Sequence, residues 1–148
     1  MILNSESSIQ GVVSIVKTNA KNEVTDKVIS NLVVSSGKTI IATLLSGGTG
    51  AMTHMAVGSG TTAAVIADVA LESQISNRVA LTSTTPATNT VTYVATFAPG
   101  VSTGNLTEAG LFNNATNTTT AMLARTVFPL ITKEAADTIT ITWVITIS

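Results

Sequence analysis

Two apolar runs in this chain carry one charge each. "NLTEAGLF" places Glu108 among Leu106, Ala109, Leu111 and Phe112, and "AMLARTVF" places Arg125 among Leu123, Ala124, Val127 and Phe128. The polar residues 113–120 lie between them. A carboxylate beside a guanidinium can serve an acid–base site, a ligand pocket or a lock between two strands. If residues 113–120 close a hairpin symmetrically, Phe112 faces Ala121, Gly110 faces Leu123, Glu108 faces Arg125 and Leu106 faces Val127. Opposite charges directly across a strand pair contribute ~0.2–1 kcal/mol, and a one-residue slip would separate them, so the pair would also fix register. Catalysis by two carboxylates needs a second acid close by. The nearest in sequence, Glu134 and Asp137, belong to another loop. The structural lock is the expected reading.

The other candidates fail on spacing. "VVSSGKT" has Gly37, Lys38 and Thr39 after an apolar strand, but a phosphate-cradling loop needs a glycine five residues before Gly37, and Leu32 stands there. Gly37 is read instead as part of the start of a helix. His54 is the only histidine. A Ser–His–Asp site needs its nucleophile in a strained turn, whereas "GSGTT" reads as an ordinary glycine turn. One His, no Cys and scattered carboxylates give no metal-ligand spacing. The "NNATNTTT" loop offers oxygens but no carboxylate, so calcium is not expected there. Its Asn114 and Asn117, with Asn105, match the glycosylation sequon, as a threonine-rich chain does by chance. No catalytic, cofactor-binding or metal-binding residue is assigned.

These charges need elements to hold them. "SIQGVVSIVK" and "NEVTDKVISNLVV" read as strands joined by the turn "TNAKN". Ile40, Ile41, Leu44 and Leu45 recur at helical spacing, predicting one short helix near residues 36–46, with Ser36 as its cap and Gly47 as its stop. "MTHMAVGSGTT" gives a short strand and a glycine turn, followed by a helical turn or loop through Leu71. "RVALTST" and "TVTYVATF" read as a hairpin around "TPATN", with Val91, Tyr93, Ala95 and Phe97 on one face. In "TITITWVITIS", Ile139, Ile141, Trp143, Ile145 and Ile147 alternate with Thr138, Thr140, Thr142 and Thr146, leaving Val144 as the exception. One face should lie in a core anchored by Trp143, the other toward water.

Threonine occurs 27 times, more often than all Lys, Arg, Asp and Glu together. Thr, Val and Ile suit a pleated surface. The expected fold is all-β: an antiparallel β-sandwich or jelly roll in a single domain over residues 1–148, with residues 1–10 as a short N-terminal arm. With a net charge of −1 and 10% charged residues, nothing favours nucleic-acid binding. The start has no basic signal-peptide region and no apolar run reaches membrane-spanning length, so a soluble protein made in a cytoplasm is expected, with no membrane partner. A mean hydropathy of +0.47 points to subunit contacts.

"NLVVSSGKTIIATLLSGG", "MTHMAVGSGTTAA", "LTEAGLFNNAT", "AMLARTVFP" and "DTITITWVITI" together resemble small virion proteins of tailed bacteriophages, across about Asn31 to Ile147. The pattern is similar to the head domain of tail-collar and tail-fibre proteins and to trimeric capsid cement, or decoration, proteins. The resemblance implies a β-sandwich homotrimer on the outer surface of the virion, contacting the major capsid protein or tail and neck proteins and in a secondary role host-surface glycans. It implies no enzyme and no cofactor. A chain without a fibre shaft fits capsid decoration best. The runner-up is a short tail-collar or neck fibre, followed by a carbohydrate-binding β-domain.

Overall fold

The computed structural model describes residues 8–116 and 121–148. Nine strands and one helix follow one another: β1 (Ile9–Thr18), β2 (Val24–Val33), α1 (Ser35–Leu45), β3 (His54–Gly58), β4 (Gln74–Ala80), β5 (Ser83–Ala87), β6 (Thr90–Phe97), β7 (Gly104–Phe112), β8 (Met122–Lys133) and β9 (Thr138–Ile147). All pairings are antiparallel, in the order β4-β3-β7-β8-β2-β1-β9-β6-β5. The all-β class with one short helix is therefore present.

The sandwich is built from one continuous, strongly curled sheet. β2 joins the two halves: most of it pairs with β1, and only Leu32 and Val33 pair with β8, opposite Arg125 and Ala124. Side chains from both halves meet in one core. Val13, Ile15, Ala95, Phe97, Ile139, Ile141, Trp143 and Ile145 come from one half, and Met55, Val57, Leu106, Ala109, Leu111, Phe128 and Ile131 from the other.

The alternation in β9 produces the expected two faces. Ile139, Ile141, Trp143 and Ile145 are buried and face Phe97, Ala95, Tyr93 and Val91 of β6 in register. Trp143 also faces Val13 of β1. Ile147 departs from the pattern: it is exposed, because the strand runs past the core there.

Several expected boundaries need correction. β1 begins at Ile9, and Ile9 and Gln10 pair with Ile147 and Thr146, so these two residues belong to the sheet and not to the expected arm over residues 1–10; residues 1–7 lie outside the described residues. "RVALTST" is two strands. Leu81 N–H donates to the Thr53 carbonyl in one half and Thr82 N–H to the Val94 carbonyl in the other, so the chain changes halves there. The β5–β6 turn is shorter than "TPATN", since Pro86 and Ala87 still pair with β6. Proline is tolerated because β5 is an edge strand.

The helix starts without a side-chain cap. Its N-cap is Val34, and Ser36 Oγ instead donates to the Met122 carbonyl at 2.8 Å, fastening α1 to β8. At the other end Gly47 has φ 84°, Gly47 N–H reaches the Leu44 carbonyl and Gly48 N–H the Thr43 carbonyl. This is a glycine-terminated helix end whose last carbonyls are satisfied. Gly37 sits so close to the Leu123 carbonyl that a Cβ would overlap it, which leaves no room for a phosphate.

Candidate functional site

β7 and β8 bring Glu108 and Arg125 together, but not in the expected register. Arg125 lies opposite Gly110, and Glu108 opposite Val127. Two irregularities shift the pairing, one between Leu111 and Phe112 and one between Leu106 and Glu108. Pro129 falls in the strand opposite the second, where it need not donate to the ladder. The charges are thus diagonal neighbours on one face, a separation long side chains can span. Arg125 Nε donates to Glu108 Oε2 at 2.9 Å.

Glu108 is completely buried and receives three more bonds, all from backbone N–H groups: Ser73 at 2.7 Å, Glu72 at 3.0 Å and Gly60 at 3.1 Å. Such proximity requires glycine. A Cβ on Gly60 would lie 2.6 Å from Glu108 Oε1, and one on Gly58 would overlap the same oxygen. "GSG" is thus the wall of a carboxylate receptacle as well as a turn. Arg125 continues the network: Nη1 donates to Asp68 Oδ2 at 2.8 Å, Nη2 to the Thr62 carbonyl at 3.0 Å, and Glu72 Oε2 lies 3.6 Å from Nη2. Asp68 accepts Val65 N–H, and Glu72 accepts both the N–H and the hydroxyl of Thr62.

The cluster therefore pins the irregular residues 59–73 onto β7 and β8. Burial works against the charge of Arg125, but its bonds to Glu108 and Asp68 outweigh this and hold its pKa above the ordinary value. The backbone and side-chain bonds from Thr62 hold the Glu72 carboxyl below its ordinary 4.5. With four donors already on Glu108, its two oxygens are committed to the fold. Ser73 joins the cluster through its backbone N–H, while its hydroxyl accepts from Ser59 Oγ at 3.2 Å.

The remaining candidates are scattered. His54 opens β3, half-buried, and its Nδ1 is 2.8 Å from the Thr53 hydroxyl. Glu134 and Asp137 belong to the β8–β9 turn, where Lys133 is buried and donates to the carbonyls of Asp137 and Ala98. Burial lowers the Lys133 pKa and the charge of Asp137 opposes that shift. No group of three or more His, Cys, Asp or Glu that could hold a metal occurs among the described residues. Trp143 is fully buried as expected, with its Nε1 unpartnered.

Asp68, Glu72, Gly58, Gly60 and Thr62 could not be found from spacing, since the carboxylates reach Arg125 from an irregular segment about 55 residues earlier. Arg78 was also not legible. It stacks 3.6 Å above the Phe112 ring and bonds Asn114 and the Thr116 carbonyl, ordering the start of the 113–116 segment. Residues 117–120 of the expected polar loop lie outside the described residues.

Comparison of the chain with protein-family models, with curated proteins and with solved structures finds no match.

Proposed function

We propose that the chain is a structural protein of a phage virion, a homotrimeric cement or decoration protein that reinforces the outer capsid surface. The supporting observation is where charge and apolar surface lie. The Glu108–Arg125 cluster is directed inward to hold the fold, while Leu45 is 85% exposed, Val28 67% and Val24 62%. Exposed apolar surface of this kind suits contacts between subunits. The resemblance of "LTEAGLFNNAT" and its companion stretches to virion proteins supplies the biological setting.

A decoration protein acts through binding alone. Trimers seated across neighbouring capsid subunits favour the assembled shell by mass action, because they bind it and not its separated parts. The polar "TTPATN" region offers hydroxyls and amides for a secondary contact with host glycans. Two measurements test the reading. Native mass spectrometry should give three times the 15.1 kDa chain. Quantitative mass spectrometry of virions should give hundreds of copies. A monomer would overturn the trimer, and a copy number of a few multiples of three or six would assign the chain to a tail-collar or neck fibre.

A further inference from the structure

Where β2 leaves β1 to join β8, the sheet opens into a cleft. Pairing between β1 and β2 stops at Gly11 and Asn31. Beyond this point Ile9 and Gln10 pair only with β9, and Leu32 and Val33 only with β8. Two strand ends thus diverge, each paired on one side. Between them lies a cavity of about 710 Å³, lined by these residues together with Val12, Ser30, Lys38 and Ile66.

Three features describe what would fill it. The first is backbone: a strand end paired on one side is completed by another extended chain, which supplies N–H and C=O groups in register. The second is the Asn31 side chain. Its oxygen and nitrogen are shielded from water and neither has a hydrogen-bond partner. It folds over Gly11, where any Cβ would collide with it. An unsatisfied buried amide is costly, and a peptide unit offers the donor and the acceptor it lacks. The third is the rim. Val12, Leu32 and Ile66 expose apolar side chains, and Lys38 makes no ion pair among the described residues. Ile66 is held in place, because its carbonyl accepts Ser35 N–H and its segment is pinned by Arg125.

We propose that this cleft binds an extended peptide segment of a partner protein, with apolar side chains against Val12, Leu32 and Ile66 and a carboxylate beside Lys38. The segment completes the sheet at its split and satisfies Asn31 after a turn of that side chain into the cleft. This surface goes beyond the virion role and does not depend on it.

The test uses the full chain, labelled with nitrogen-15, and two blocked hexapeptides of alternating valine and threonine. One carries aspartate at its third position and the other lysine. The aspartate peptide should shift the amides of residues 9–12 and 30–33 and bind roughly two- to fivefold more tightly than the lysine peptide, the range of an exposed ion pair. Lys38→Glu, at an exposed position, should reverse that order while leaving the rest of the spectrum in place. The proposal is overturned if neither peptide shifts these amides. It is equally overturned if the shifts fall on the open edges β4 and β5, or if Lys38→Glu leaves the order unchanged. A chain lacking residues 1–7 that binds when the full chain does not would also overturn it, in favour of the protein's own N-terminal residues as occupant.

Discussion

In the β5–β6–β9–β1 half of the sheet, Trp143 lies between Val13 and Tyr93 within rows of paired apolar side chains. In the β8–β7–β3–β4 half, Glu108 is just as deeply buried, yet it is surrounded by four hydrogen-bond donors. The first half closes by regular alternation, and β1, β6 and β9 each contribute a row of core side chains. The second must also fasten residues 59–73, which have no ladder of their own, and it does so through a buried carboxylate and a guanidinium. Apolar packing tolerates a change of shape to a degree. A buried ion pair that loses one partner leaves an uncompensated charge.

The largest expected effect of a conservative change comes from breaking that pair. Glu108→Gln should cost ~3 kcal/mol by urea unfolding, because Arg125 keeps only the more exposed Asp68 and Glu72 as partners and three backbone N–H groups lose a charged acceptor. Trp143→Phe, the matching conservative change in the other half, should cost only about 1–2 kcal/mol, since the indole N–H makes no bond and only ring area is lost. Equal costs would remove the distinction between the halves. Trp143→Ala, which empties the site, should rise to ~3–5 kcal/mol.

A smaller quantity sharpens the comparison. In a double-mutant cycle, Glu108→Gln and Arg125→Gln should be coupled by about 0.5–3 kcal/mol. Strict additivity would mean that the 2.9 Å contact does not link the strands energetically.

The smallest effect is a titration. The Glu72 carboxyl sits below its ordinary 4.5 in the folded chain, so its contribution is present above that value and is lost as pH falls through the lower folded value. Residues 59–73 should therefore loosen in acid while the β1–β9 pairing persists. The Thr62 amide resonance should report this, and Glu72→Gln should abolish that titration. Simultaneous loss of the β9 amide signals would show that the two halves respond to acid as one unit.

The same contrast explains what could be read from the chain itself. β9 was legible because Ile139 to Ile145 repeat with the pleat, and α1 because Ile40, Ile41, Leu44 and Leu45 repeat with the helical turn. The contact of Glu108 with Arg125 was also legible, since both lie in adjacent apolar runs. Their register was not: a symmetrical hairpin ignores the pairing of Phe112 with Met122 and the extra residue at Leu123. Asp68 and Glu72 were hidden for a different reason. Their segment is shaped by tertiary bonds to Arg125 and Glu108, and no local period records it.

Pro86 has a consequence for how this surface behaves in a crowd. β5 is a five-residue outer strand whose residues are all exposed, the sort of margin on which identical chains stack into fibrils. A pyrrolidine ring there withholds one amide hydrogen and interrupts any template. Molecules meeting side by side are steered away from endless growth, and association is left to surfaces of finite extent.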